Sequence, residues 1–224
     1  MKRAVQSELL DSPDVDPREV TLSLADLGTI NHLFGGIGTS ETLFRRVLAA
    51  RELRELSVLD VGSGNGDVPL TVARKLRPAG VSMAITFFDQ HQNHLPHLSG
   101  DDPLLHTMTG DALHLPFVEN WFDIVSCSLF LHHLEPDEAR RFVEQALRVA
   151  RHAVIINDLV RSPLHWSLLH LWRPFFRART AYLDGLTSVR RSYTPEEVEE
   201  MLGGLGRMEV TRHYFYRMGI ILWK

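Results

Sequence analysis

The stretch VLDVGSGNGDV, residues 58–68, sets Gly62, Gly64 and Gly66 in alternation behind an apolar run that contains Asp60. Glycine weakens a strand or helix interior, so this density marks backbone that turns sharply or that something approaches closely. A loop of this kind after a buried strand can hold the polar end of a ligand. A dinucleotide pyrophosphate asks for G-x-G-x-x-G, with its charge on a helix N-terminus. Here the order is Gly62-Ser63-Gly64-Asn65-Gly66-Asp67, and Asp67 at the helix start would repel a pyrophosphate. The loop instead suits a ligand end that carries an ammonium as well as a carboxylate. Further along, His132 and His133 stand side by side, and Asp158 follows the run AVIIN. Imidazole changes charge near neutral pH, so either histidine could remove a proton from an acceptor, with Asp158 as the second candidate. The competing roles are structural: a histidine that packs or caps the next helix, and a carboxylate that caps the segment after it. His91, His94 and His97 recur three apart, but Pro96 interrupts the helix that would stack them, so no metal is expected.

Such groups need a frame that brings them to one edge. From residue 57 onward, the short runs SVLDV, MAITFFD, LLHTMTGD, FDIVSCS and AVIIND alternate with helical stretches. Buried strands that read as continuous apolar runs between helices predict a parallel sheet covered on both faces and joined by right-handed crossovers. Ligands of such sheets bind at the C-terminal ends of the strands, where the glycine loop falls. Residues 1–18 read as a loose polar arm, and VTLSLADLGTINHLF and SETLFRRVLAAREL as helices parted by Gly35–Gly36. Residues 1–56 are thus expected to be an N-terminal helical cap, and 57–224 the ligand-binding domain. SYTPEEVEEML opens a helix with a capping box between Thr194 and Glu197 and Pro195 in the first turn. RMEVTRHYFYRMGIILWK predicts a hairpin turning around Arg217–Gly219. The expected fold is a single α/β domain with a seven-stranded, mostly parallel sheet and an antiparallel C-terminal hairpin.

The glycine loop and the strand ends after it resemble the class I S-adenosylmethionine-dependent methyltransferases, over residues 57–160. LPFVENWFDIV is similar to the branch that includes the quinone-biosynthesis C-methyltransferases. The resemblance implies a Rossmann-like sheet with helices on both faces and S-adenosyl-L-methionine as cofactor. It implies a cofactor set of Asp60, Gly62, Ser63, Gly64, Asn65, Asp89, Gln90, Asp111, Ala112 and Ser128. Asp89 would accept from two ribose hydroxyls. Asp111 would take the adenine amino group, the Ala112 N–H a ring nitrogen, and Ser128 would lie near the methionine part. The implied activity is methyl transfer to oxygen or carbon of a small hydroxylated aromatic, polyketide or quinone-like acceptor, with His132, His133 or Asp158 as base. A methyltransferase acting on protein or RNA, and a cofactor-binding module without catalysis, stay open beside it. One departure stands out: LRVARHAVII replaces the family's Leu-Lys-Pro-Gly-Gly turn before strand five, so that junction is expected to be built differently.

Residues 161–193 form the most individual stretch. Six arginines stand against the single acid Asp184 between Arg161 and Arg191, in a chain of net charge -4. Leu164, Leu168, Leu171, Trp172 and Phe175 share one helical stripe, with Pro174 ending or kinking the helix. One reading is a helical substrate lid, with Arg190, Arg191 and Tyr193 on the oxygens of the acceptor. A second is peripheral membrane contact that collects a lipid-like substrate, and a third is plain core beneath solvated arginines. INHLFGG would close the other side of the cofactor, with Asn31 as a contact candidate. The negative charge argues against nucleic-acid binding through a broad basic face. Cys127 is the one cysteine, which excludes a disulfide framework and fits a cytoplasmic protein. The first twenty residues lack the apolar core of a secretory signal, and nothing in the pattern sets an oligomeric state.

Overall fold

The computed structural model describes residues 1–4, 6–11, 15–98 and 102–224; residues 5 and 12–14 of the expected arm lie outside them. Strands β1 (Glu55–Val61), β2 (Ser82–Asp89), β3 (Leu105–Thr109), β4 (Phe122–Ser128), β5 (Ala150–Leu159), β6 (Arg207–His213) and β7 (Arg217–Trp223) form one sheet. Their order is β3-β2-β1-β4-β5-β7-β6. The first five pair in parallel, and β7 runs antiparallel to β5 and β6. The expected seven-stranded, mostly parallel sheet with an antiparallel C-terminal hairpin is the fold this chain adopts. Since β1 pairs with β2 on one side and β4 on the other, the connections leave it in opposite directions. A crevice opens above its C-terminal end.

The helices are α1 (Pro17–Leu33), α2 (Gly36–Arg51), α3 (Asp67–Leu76), α4 (Pro136–Val149), α5 (Pro163–Trp172), α6 (Arg179–Arg191) and α7 (Pro195–Leu202). Successive strand residues point to opposite faces. Val58, Ile124 and Ile155 accordingly pack under α2 and α3, against Phe44, Val47 and Val72. Leu59, Val125 and Val154 pack under α4 and α7, against Phe142, Val143 and Val198. Each such side chain contributes about 1.5–3 kcal/mol on burial. Leu43, Phe44, Val47 and Leu48 place α2 in the same cluster as the strands, so a boundary at residue 56 cuts through one core. Only α1 and the segment before it ride over the sheet edge.

Three local expectations are corrected. The hairpin turns at Tyr214–Tyr216 rather than around Arg217–Gly219, with Phe215 and Tyr216 at φ of 58° and 56°. The polar arm is anchored: Arg3 donates to Glu135, Leu134 O and Arg191 O at 2.9, 2.9 and 2.7 Å, and Asp184 takes the N–H groups of Leu9 and Leu10. The stripe on α5 is not core, for Leu164, Leu171 and Phe175 are 59%, 73% and 71% exposed. The departure before strand five resolves simply: α4 ends at Val149, Ala150 turns to ψ 145° and β5 begins there without a loop. Arg148 holds the junction by donating to Leu115 O and Phe117 O. The capping box also forms, Thr194 Oγ1 accepting from Glu197 N and Glu197 from Thr194 N. No helix among the described residues is long and apolar enough to cross a membrane.

Candidate active site

The glycine loop caps β1 in a conformation that explains its composition. Gly62 and Gly66 sit at φ of 64° and 70°, the left-handed region. A Cβ on Gly62 would strike the Phe130 ring, and one on Gly66 would come within 2.7 Å of Phe87. Beneath the loop Asp60 is buried and accepts from Ser126 Oγ at 2.6 Å and Ser63 Oγ at 2.7 Å. Burial pushes its carboxyl up to about 6 against those two hydrogen bonds. Asp89, at the end of β2, accepts from Gly64 N and His91 N, both at 3.0 Å, which ties the loop to the next strand. Asp111, past β3, accepts from His114 Nδ1 and Leu113 N at 2.7 and 2.8 Å, and these bonds hold its carboxyl below the ordinary range. Ser128 Oγ lies 3.4 Å from Ser40 Oγ, which in turn accepts from Asn157.

One cavity of about 440 Å³ gathers these groups. Asp60, Gly62, Ser63, Gly64, Asn65, Asp89, Gln90, Asp111, Ala112 and Ser128 all line it. His132, His133 and Asn31 line it too, on the side facing α1 and α6. A residue the sequence did not single out, Glu8, joins them from the arm.

His132 is a buried node. Its Nδ1 lies 2.6 Å from Asp158 Oδ1, its backbone N–H donates to Asp158 Oδ2 at 3.0 Å, and Nε2 is 3.3 Å from Glu8 Oε1. That last contact is within ion-pair range but off the line of a hydrogen bond. Burial alone would lower the imidazole, but Asp158 and Glu8 push it up to about 10, so it carries a proton at neutral pH. Glu8 responds in kind: burial would raise it, yet His133 and His132 bring it down to about 2. Asp158 is likewise held below the usual carboxylate range, against its burial, by His132. Asp158 also accepts from Leu159 N, and it does not line the cavity. It therefore faces His132 rather than the cavity. His133 does line the cavity, is partly open, and has Nε2 3.7 Å from Glu8 Oε2.

Ligand atoms of Glu8, His132 and His133 lie within 4.8 Å of one another, and among the described residues this is the group with metal-holding spacing. The rings of His91 and His94 lie 4.8 Å apart, tilted by 50°, and form no such group with His97 among the described residues.

The residues expected on the acceptor are placed elsewhere. Arg190 is exposed, and its carbonyl accepts from Ala4 N. The Arg191 guanidinium donates to His132 O, His133 O and Gln6 O, fixing the turn that carries the two histidines. Tyr193 donates to Leu134 O at 2.7 Å, with Arg3 over its ring. None of the three lines the cavity: Arg191 and Tyr193 commit their polar groups to backbone carbonyls, and Arg190 is exposed. The cation that does line it is Arg217, 1% exposed at the start of β7, with Nη2 donating to Asn31 Oδ1 at 3.0 Å. A charged residue heading the otherwise apolar run RMGIILW is the signal that could have found it.

Comparison with known proteins agrees with this geometry. Residues 58–153 match the family model described as a methyltransferase domain. A putative O-methyltransferase from Nostoc punctiforme is similar at 18% identity and TM-score 0.63, over all of this chain and 64% of its own. Magnesium protoporphyrin IX methyltransferase from Synechocystis, with bound S-adenosylhomocysteine, aligns at 19% identity and TM-score 0.52, over 84% and 83% of the two chains. The plantazolicin methyltransferase BpumL reaches TM-score 0.67 at 12% identity, over 94% and 99%. No curated protein matches the sequence. The glycine loop, the carboxylates at the strand ends and the methyltransferase-domain match thus fall on one segment of the chain, and the solved structures share its fold.

Proposed function

We propose that the enzyme moves the methyl group of S-adenosylmethionine to oxygen or carbon of a small hydroxylated aromatic, polyketide or quinone-like acceptor in the cytoplasm. The observation that supports this reading is the shared cavity, which Asp60, Gly62, Asp89 and Asp111 line together with Glu8, His132 and His133. The cofactor supplies the activated carbon; the protein excludes water and orients the acceptor, for which alignment alone can contribute roughly 7–11 kcal/mol. His133 serves as the base, Glu8 taking up charge beside it, while Asp158 and His132 fix the turn. Asp60, Ser63 and the loop N–H groups hold the methionine end, Asp89 and Gln90 the ribose, Asp111 and Ala112 the adenine, and Ser128 the thioether side. A cavity of about 440 Å³ beside an anchored arm favours a small acceptor over a protein or RNA chain, and the similar proteins named for a porphyrin and for plantazolicin fit that preference.

Calorimetry with S-adenosylhomocysteine tests the cofactor set, and incubation of cell extract with labelled cofactor, read by mass spectrometry, tests the acceptor class. Wild type should bind the nucleoside and label a small molecule, whereas Asp89→Ala should do neither. Labelling confined to protein or RNA would overturn the reading.

A further inference from the structure

A second chamber of about 390 Å³ lies between α1, α5 and the β6–β7 hairpin. Its size is that of an ordinary ligand pocket. Phe34, Leu168, Trp172, Phe175 and Phe215 line it, with Phe34 edge-on to both Trp172 and Phe215 at ring distances of 4.9 and 5.4 Å. Among the charged side chains that line it, Asp26 takes the N–H groups of Arg177 and Ala178, and the Arg177 side chain points largely to water. This chamber adjoins the first cavity, since Ile30, Leu159, His165, Leu169, Phe176 and Arg217 line both. Several apolar walls stand open to solvent, Phe175 at 71% and Phe215 at 55%. An apolar surface of this kind marks a binding site more often than a fold requirement.

At the junction stands Arg217. Its guanidinium is buried, yet Nε and Nη1 have no hydrogen-bond partner. Unmet buried donors are costly, and a fixed fork of N–H groups suits oxygens that carry negative charge. The groups around it leave that role open. Asn31 takes only Nη2, Asp158 lies close enough to act through its charge, and burial holds His165 down to about 4, so it is neutral.

Resting on the methyltransferase reading, we propose that the acceptor is amphipathic: an oxygenated ring whose phenolate or enolate oxygen is held by Arg217, with a long hydrocarbon chain lodged in the α1–α5–hairpin chamber. The ring then sits at the junction, with its chain directed away from the cofactor. The exposed aromatic rim is where the chain enters.

The test is a series of alkylphenols and alkylresorcinols, from methyl to long-chain, titrated below their micelle concentrations into enzyme loaded with S-adenosylhomocysteine. Affinity should rise about fourfold for each methylene that enters the chamber. Leu168→Asp, a change at a partly exposed wall, should abolish that increment while leaving the affinity for the methyl-substituted probe. Arg217→Met should weaken every probe by about tenfold or more and leave the increment intact, with nucleoside affinity as the control for folding. A flat series, or an increment unaffected by Leu168→Asp, overturns the proposal. Failure of wild type to bind S-adenosylhomocysteine at all would instead sink the methyltransferase reading beneath it.

Discussion

His132 and Asp158 meet twice: the carboxylate takes the ring Nδ1 through one oxygen and the backbone N–H of the same residue through the other, at 2.6 and 3.0 Å. One buried acid thereby sets both the side chain and the chain direction of the turn Leu131–His133. The stability of the enzyme should record this pairing as pH changes. His132 is raised from 6.5 to about 10, so its contribution is complete below 6.5 and is lost as pH climbs through about 10. Glu8 is lowered from 4.5 to about 2, so its contribution is present above 4.5 and is lost as pH falls through about 2. Denaturant unfolding across pH should show greatest stability between these windows. His132→Gln should flatten the alkaline limb, and an unchanged limb would show that the imidazole is not charged.

The base is tested by His133→Ala. Its kcat should fall by about 10²–10⁴ while the cofactor affinity stays within twofold of wild type. Asp158→Asn should differ in kind, losing roughly 3–5 kcal/mol of folding stability along with activity, since it leaves a buried cation short of a partner. Equal melting temperatures for the two variants would contradict these separate roles.

Gly62→Ala places a methyl group at φ 64° against the Phe130 ring. A loss of about 1–3 kcal/mol in thermal unfolding, together with loss of nucleoside binding, is expected. Adding Phe130→Leu should recover part of the stability by removing the collision but not the backbone strain.

Asp60 supplies a proton-linkage test. Its carboxyl is raised to about 6, so the folded protein favours the neutral form, and ionising it above that pH costs stability. The ammonium of a bound methionine end favours the ionised form. Cofactor affinity should therefore rise from about pH 5 to pH 7, with proton release near pH 6. Calorimetry in two buffers of different ionisation enthalpy reads that release directly, and Asp60→Asn should abolish it.

The sequence made the fold and the gathering of the glycine-loop and strand-end residues legible, and the rest of the cavity wall less so, for physical reasons. Gly62, Asp89 and Asp111 each act within a few residues of a strand end, where apolar runs and turn residues are visible locally. Glu8 reaches the cavity only when the arm crosses to His132, and Arg217 joins it only when β7 meets α1. Composition revealed the arginines of 161–191, but not that Arg191 turns its guanidinium onto backbone carbonyls. The hairpin was misplaced because two aromatic residues, Phe215 and Tyr216, occupy left-handed positions, while Gly219 invited the turn. Gly219 instead makes room, since a Cβ there would lie 2.9 Å from Leu43 on α2.

The anchored arm has a kinetic consequence. Glu8 and Leu10 form part of the cavity wall, and polar links such as Arg3–Glu135 and Leu9 N–Asp184 hold them in place. Opening this wall means separating charges near water rather than unpacking hydrocarbon, and such attractions weaken as dissolved ions shield them over about 8 Å at physiological strength. Product escape should thus accelerate as potassium chloride is added, so that the salinity of the medium acts as a throttle on turnover.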